Sequence, residues 1–296
     1  MNARVSSIQR FSVGDGPGIR TTVFFSGCSL RCPWCHNPET IPLRPRLLYT
    51  AALCAACGRC TAVCGRHTLE NGVHRWNSAS CNGCLSCTKV CYPHALRPSF
   101  TVMTLEEVCA TVEEDAPFYA ESGGGVTLSG GEALLQADFC AALAERCHAA
   151  GIPVLLDTAG NAPSDALDTL LPLLDSCYYD LKTADPDRTA SIGGQLSRIT
   201  EHLRRIAASG TDTVVRTPVI PGFNDTIDDI TAIARLALDC GVSRVELLPF
   251  HRMGSGKYDA LGIPYAYRSV EPPSAAHLNV LLDACRSAGA DASLGT

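Results

Sequence analysis

Eleven of the 17 cysteines in this 296-residue chain fall in three short runs before residue 92, and no other feature restricts the fold so strongly. The first run is Cys28-Ser-Leu-Arg-Cys32-Pro-Trp-Cys35, with no further cysteine before Cys54. Three thiolates at this spacing can bind three corners of a four-iron cluster and leave the fourth iron open for chemistry. Zinc sites prefer two CxxC pairs closed by four protein ligands, and an electron-transfer cluster ordinarily has its fourth cysteine nearby.

The other two runs are Cys54-x2-Cys57-x2-Cys60-x3-Cys64 and Cys81-x2-Cys84-x2-Cys87-x3-Cys91, every ligand recurring 27 residues on. Both match the bacterial ferredoxin spacing, in which the last cysteine of each run ligates the cluster of the other half. Cys54, Cys57, Cys60 and Cys91 are therefore assigned to one cluster, and Cys81, Cys84, Cys87 and Cys64 to a second. A zinc ribbon has no use for the third cysteine of a CxxCxxC run. The proline that usually follows the fourth cysteine is displaced to Pro93 in one half and missing after Cys64 in the other.

The chain is 46% apolar, enough for one large α/β domain with a small inserted one. Its opening residues, Met1-Asn-Ala-Arg-Val, lack the look of a cleavable leader, so the thiols are expected in a reducing cytoplasm. No stretch approaches the roughly 18 consecutive apolar residues of a membrane span. A net charge of −6 and low aromatic content argue against a nucleic-acid partner. That net charge hides an asymmetry: residues 1–100 hold 11 Lys+Arg against 3 Asp+Glu, and residues 101–296 hold 13 against 27. A basic region around anionic clusters eases their reduction and attracts an acidic electron donor.

Six segments read as buried strands: Arg20 to Ser26, Gly125 to Ser129, Pro153 to Asp157, Ser176 to Lys182, Asp212 to Val219 and Ser243 to Phe250. Amphipathic runs separate most of them, the first opened by the capping-box sequence Thr104-Leu-Glu-Glu107. This alternation predicts parallel βαβ units, in a barrel or a doubly wound sheet, with the site at the carboxyl ends of the strands. The first cysteine triplet follows the first of these strands, where a site loop belongs. Residues 49–98 show little periodicity and too few apolar residues for a core, so they read as an insertion that its clusters must staple together.

Several further motifs fall where strands stop. They are Ser129-Gly-Gly-Glu132, Asp157-Thr-Ala-Gly160, Asp180-Leu-Lys182 and Pro249-Phe-His251, with Asp15-Gly-Pro-Gly-Ile-Arg20 before the first strand. The last is not a dinucleotide loop, because it precedes a strand instead of joining strand to helix. Together with the triplet CSLRCPWC, these motifs resemble the glycyl-radical-enzyme activating enzymes of the radical S-adenosylmethionine superfamily, over nearly the whole chain.

The resemblance implies a partial (β/α)6 radical SAM barrel at 1–48 and 99–296, and a ferredoxin-like insertion with two 4Fe-4S clusters at 49–98. It implies three 4Fe-4S clusters in all. The one at Cys28, Cys32 and Cys35 binds S-adenosylmethionine, against Trp34, Cys35, His36, Gly131, Asp180, Leu181, Lys182 and His251. Asp157 with Thr158 resembles the family's cation-binding corner, Arg216 is placed toward the ligand carboxylate, and Asp15, Gly16, Pro17 and Gly18 resemble the contact to the partner's glycine loop. Read alone, His36 and His251 would be ordinary histidines and Asp180 with Lys182 a structural ion pair; the motifs make them site residues. The implied reaction is reductive cleavage of S-adenosylmethionine to methionine and a 5′-deoxyadenosyl radical, which takes a hydrogen from one glycine Cα of a glycyl radical enzyme. A flavodoxin or ferredoxin-type electron donor and an anaerobic, cytoplasmic monomer complete the expectation. Two rival classes are a peptide-modifying radical SAM enzyme with auxiliary clusters, which usually carries them in a C-terminal extension, and a non-enzymatic electron carrier, which would close every cluster with four cysteines.

Overall fold

The computed structural model describes residues 1–295. Its strands, in chain order, are β1 (Asn2–Ser12), β2 (Arg20–Phe25), β3 (Leu47–Tyr49), β4 (His67–Glu70), β5 (Val73–Trp76), β6 (Leu96–Pro98), β7 (Thr101–Thr104), β8 (Gly125–Gly130), β9 (Val154–Thr158), β10 (Ser176–Asp180), β11 (Asp212–Val219), β12 (Arg244–Pro249) and β13 (Asp291–Leu294). Nine of them form one sheet in the order β13-β12-β11-β10-β9-β8-β2-β1-β7. From β2 to β13 every neighbouring pair is parallel, which places the carboxyl ends of seven strands along one rim. The order is linear, so the sheet has two edges, as a partial barrel does.

All six strands read from the sequence are present; β8 and β9 are nearly continuous buried runs, while β10, β11 and β12 alternate buried residues with less buried ones. Three more escaped that reading. β1 buries only Ala3, Val5 and Ser12, so its opening residues look like ordinary polar chain. It pairs antiparallel to β2 on one side and β7 on the other. β13 closes the far edge after the last helix.

The helices follow from their caps as much as their periodicity. At Leu105–Glu113 the Thr104 hydroxyl accepts from the Glu107 amide at 3.2 Å while Glu107 Oε2 accepts from the Thr104 amide at 2.7 Å. Thr226 and Ser274 cap Ile227–Asp239 and Ala275–Ser287 from one side only, their hydroxyls accepting from the Asp229 and His277 amides. Their apolar faces cover the sheet and form one continuous core, from Val23 and Phe25 through Leu156 and Tyr179 to Val245 and Leu281. No helix among the described residues is long and apolar enough to cross a membrane.

Residues 47–98 carry two small sheets of their own. Antiparallel pairing of β3 with β6 brings the ends of the segment together, and β4 and β5 form a hairpin. Its turn residues Asn71 and Gly72 take φ of 51° and 76°, the left-handed pair that a tight two-residue hairpin turn requires. Only Leu47, Cys87 and Leu96 make a buried apolar cluster in this segment. Ser78 donates to the Gly262 carbonyl at 2.5 Å, which seats the segment against the loop after helix Ser255–Leu261.

Arg20 explains the last residue of the Asp15–Arg20 motif. It is buried, with Nε donating to Thr127 Oγ1 at 2.7 Å, Nη2 to the Val126 carbonyl at 2.6 Å and Nη1 to the Pro17 carbonyl at 3.3 Å. Thr127 in turn donates to the Asp15 carbonyl at 2.8 Å. The guanidinium therefore clamps the loop before β2 onto β8. Lysine is too short and has too few directed donors to replace it. Arg20→Lys is expected to lower stability by about 2 kcal/mol, the scale of a lost charged hydrogen bond, read as a drop in the midpoint of anaerobic chemical denaturation. An unchanged midpoint would show that the clamp contributes nothing.

Candidate active site

A cavity of about 380 Å³ opens at the carboxyl rim of the sheet and is lined by Cys28, Cys32, Cys35, Trp34, His36, Gly131, Asp157, Asp180, Lys182, Arg216 and His251, with Gly14 and Asp15 at its margin. These residues come from seven separated places in the chain, and strand order brings them together. The loop of the first cysteine run follows β2; Gly131, Asp157 and Asp180 sit at or just beyond the ends of β8, β9 and β10; Arg216 projects from β11 and His251 follows β12.

The cysteine loop is fixed by its backbone. The Arg31 amide donates to the Ile192 carbonyl at 2.8 Å, the Cys35 amide to the Cys32 carbonyl at 3.1 Å, and the Tyr258 hydroxyl to the Cys35 carbonyl at 3.0 Å. Trp34 is buried among Ile192, Ile220 and Phe250, its ring 4.3 Å from that of Phe223. Burial pushes the Cys28 and Cys35 thiols up to about 12, and Cys32 rises for the same reason. Three thiols that are costly to ionise on their own, meeting in a cavity with no fourth cysteine, fit the donor set of a cluster with one open iron.

Gly130 and Gly131 bring β8 against this loop. A Cβ at Gly131 would lie 2.4 Å from the Gly27 carbonyl oxygen, and one at Gly130 2.3 Å from the Phe25 backbone. Glu132, fully buried, accepts from the Thr158 hydroxyl at 2.6 Å and the Ala159 amide at 3.1 Å, tying the end of β8 to that of β9.

Beyond the thiols the cavity wall is charged. Lys182 Nζ lies 2.7 Å from Asp180 Oδ2. Burial alone would lower the Lys182 ammonium, but Asp180 and the Cys32 sulfur hold it above its ordinary range. Arg216 Nε stands 2.9 Å from Glu246 Oε2 without a well-directed hydrogen bond, and its guanidinium lies over the Tyr178 ring at 4.6 Å. Asp157 accepts from the Ser129 hydroxyl at 2.7 Å, and burial followed by the Asp180 charge pushes its carboxyl up to about 7. His36 and His251 pack with ring centroids 4.1 Å apart, His36 Nε2 lying 3.0 Å from the His251 carbonyl oxygen. Burial, then His251, lowers His36 to about 4, so it is a neutral ring.

Two sequence choices sit elsewhere. Leu181 is 1% exposed and belongs to the main core, and its amide donates to the Arg216 carbonyl at 3.0 Å. It faces away because extended chain alternates, so Asp180 and Lys182 can share the cavity only if Leu181 does not. Gly16, Pro17 and Gly18 do not line the cavity either. A Cβ at Gly18 would meet the Ser122 carbonyl oxygen at 2.5 Å, so this stretch packs behind the rim. Asp15 alone of the four reaches it, its Oδ2 accepting from Ser12 at 2.5 Å and Thr22 at 2.8 Å. Residues missed by the sequence reading include Tyr258, Phe223 and the Lys257 ammonium, which lies 2.5 Å from Asn37 Oδ1 and 2.7 Å from Glu39. No local spacing marks them.

In the segment 47–98, Cys54, Cys57, Cys60 and Cys91 line one small cavity, with Tyr49 and His74. Cys87, pushed up to about 11 by burial, also feels the sulfurs of Cys64, Cys81 and Cys84.

The model of the radical SAM superfamily matches residues 78–237, and that of a 4Fe-4S single cluster domain matches residues 14–62. The indoleacetate decarboxylase activating enzyme of Tractidigestivibacter scatoligenes is 36% identical over 98% of this chain and 96% of its own. The (2S)-3-sulfopropanediol sulfolyase activating enzyme of Bilophila wadsworthia is 40% identical over 94% and 95%, and the isethionate sulfite-lyase activating enzyme of Oleidesulfovibrio alaskensis 42% over 86% and 85%. A crystal structure of Streptococcus suis SuiB bound to precursor peptide SuiA shares the fold with TM-score 0.51 at 13% identity, covering 66% of this chain and 43% of that one.

The raised Asp157 carboxyl has a stability consequence. Between the ordinary carboxylate range and pH 7 the folded chain holds a proton that the unfolded chain has lost, so stability falls as pH rises through this window. Asp157→Asn cannot ionise. Its melting temperature relative to the unaltered protein should be indistinguishable at pH 4 and higher by pH 8; a gap independent of pH would show that Asp157 is ionised throughout.

Proposed function

This chain belongs to the glycyl-radical-enzyme activating enzymes of the radical SAM superfamily, and on that premise we propose which residues carry its chemistry and what it acts on. In this family the reduced cluster and S-adenosylmethionine supply a 5′-deoxyadenosyl radical, which installs a glycyl radical on a partner enzyme. Cys28, Cys32 and Cys35 would hold the site cluster through three thiolates, and in the charged wall of the same cavity Asp180 and Asp157 suit the ammonium end of the methionine moiety, and Arg216 and Lys182 its carboxylate. Gly131 admits the ligand close to backbone. The neutral rings of His36 and His251, with Trp34 behind the loop, give the flat, water-poor surface that an adenine or ribose face needs. The observation that carries this reading is the meeting of three thiols, and no fourth, with both acidic and both basic side chains in one cavity.

Residues 49–98 form the ferredoxin-like unit of this proposal. The cavity shared by Cys54, Cys57, Cys60 and Cys91, and the proximity of Cys87 to Cys64, Cys81 and Cys84, support the crossed ligation of two 4Fe-4S clusters. Their role is to pass electrons to the site cluster from an acidic donor such as a flavodoxin or ferredoxin, consistent with the excess of 11 basic over 3 acidic residues in 1–100. The partner is a glycyl radical enzyme that breaks C–C, C–N, C–S or C–O bonds. The relatives named above serve a decarboxylase, a sulfolyase and a sulfite-lyase at 36–42% identity, so what they share with this chain is the activation step.

Anaerobically reconstituted protein should hold about twelve irons per chain, four for each cluster. Cys28→Ala should lower this to about eight and abolish formation of 5′-deoxyadenosine with dithionite. Retained cleavage would defeat the site assignment. Cys84→Ala should still cleave with dithionite yet be slow with a protein donor.

Asp15 lies at the cavity margin with its carboxylate already oriented by Ser12 and Thr22, so its place suits the incoming glycine loop. Asp15→Asn should form deoxyadenosine normally without partner, while glycyl radical, read by electron paramagnetic resonance, falls by on the order of tenfold to a hundredfold. Equal loss of both signals would move Asp15 into ligand binding.

A further inference from the structure

The repeat at 27-residue spacing makes the two halves of the insertion look equivalent, but their surroundings differ. The hairpin between the runs turns His67 and His74 inward, at 3% and 7% exposure. His67 Nδ1 and His74 Nε2 are 3.0 Å apart, and the rings stack with centroids at 5.1 Å. His74 Nδ1 is buried and has no hydrogen-bond partner. The same ring lines the cavity walled by Cys54, Cys57, Cys60 and Cys91, and ligating atoms of Cys60, His67 and His74 all lie within 4.8 Å of one another. Tyr49 packs edge-on against His74 at 4.5 Å and lines the same cavity. Around the other run, by contrast, Cys84 is exposed and is hydrogen-bonded by Ser86.

We propose that His74, oriented by His67, donates a hydrogen bond through Nδ1 to a sulfur of the cluster held by Cys54, Cys57, Cys60 and Cys91, and so raises that cluster's reduction potential. The inference rests on the ligand assignment made above for that cluster. The unpartnered Nδ1 belongs to a ring that lines a sulfur-walled cavity; without a partner it is an uncompensated buried polar group, and a cluster sulfur would satisfy it. In this proposal the tautomers are fixed: His67 Nδ1–H donates to His74 Nε2 across 3.0 Å, which leaves the single ring proton of neutral His74 on Nδ1. An added electron puts negative charge on the sulfurs, and an N–H dipole aimed at them stabilises the reduced form more than the oxidised. Two clusters with the same cysteine spacing thereby differ in potential, which gives electron flow through the insertion a direction. Cys60, His67 and His74 could also be three donors for zinc, but the 3.0 Å nitrogen separation is that of a hydrogen bond.

The test uses full-length, anaerobically reconstituted protein carrying His74→Leu, His74→Gln or His67→Leu. Each receives iron and zinc analysis and a redox titration followed by electron paramagnetic resonance. In His74→Leu the iron content should stay at about twelve, while the reduced-to-oxidised ratio of one cluster at fixed poise falls about tenfold, equivalent to about 59 mV for one electron. The other two clusters should not move. His74→Gln, which keeps an N–H donor, should restore most of the shift, and His67→Leu, which leaves the cavity wall intact, should move the same cluster part of the way. An unmoved potential in both leucine variants, or equal shifts in His74→Leu and His74→Gln, overturns the proposal. So does one zinc per chain that His74→Leu removes. About eight irons in the unaltered protein would instead overturn the ligand assignment beneath it, a separate failure.

Discussion

The site depends on a close backbone approach that no side chain could occupy. Gly130 and Gly131 run past Phe25 and Gly27 so closely that any Cβ would collide with backbone at 2.3 or 2.4 Å, and the Gly131 and Glu132 amides donate to the Phe25 and Gly27 carbonyls at 2.8 Å. This contact fastens the loop of the three cysteines to the end of β8. Glu132 then extends the attachment to Thr158 and Ala159 at the end of β9. The thiol loop and the ends of β8 and β9 are thus held by one set of hydrogen bonds.

β8 and β9 were legible as short apolar runs, buried at five of six and four of five positions, and β10, β11 and β12 as alternations of buried residues with less buried ones. β1 was not, since eight of its eleven residues are exposed or half-buried and its order comes from two antiparallel neighbours distant in sequence. The hairpin of β4 and β5 had a local signal, Asn71-Gly72, that the surrounding lack of periodicity masked. In the site, motif recognition gathered residues that spacing could not: His36 and His251 are 215 positions apart yet their rings pack together. Among the other motif residues, Leu181 faces the core, as strand alternation argues, and Gly16 to Gly18 pack behind the rim.

The segment 47–98 shows a different relation between sequence and structure. Its apolar cluster of Leu47, Cys87 and Leu96 is small, and its two sheets have two strands each, less than such elements need to stand alone in water. Pairing of β3 with β6 closes the neck, and Ser78 leans on Gly262. The remaining order is set by turns around the cysteines, with Ala56, Gly58, Gly83 and Leu85 all at positive φ. Non-glycine residues in that region are strained unless something over-determines them. On the two-cluster proposal, covalent bonds from four thiolates to one rigid cluster would provide that determination, and cysteine spacing, not hydrophobic pattern, is the informative signal here.

The charged wall is where stability and chemistry diverge. A chain selected only to fold would not place Asp157 and Asp180 close enough for burial and mutual repulsion to push one of them up to about 7, with Lys182 and Arg216 buried beside them. Replacing such charges with apolar groups of similar volume is often stabilising. Their arrangement suits a ligand that carries both signs close together, an ammonium and a carboxylate on one carbon, with a sulfonium further along. Binding such a zwitterion relieves the acidic pair and occupies the basic one at once, whereas a singly charged ligand would leave one half of the wall worse off. On the proposed reading, this charge pattern would favour the whole methionine end of S-adenosylmethionine over a singly charged ligand.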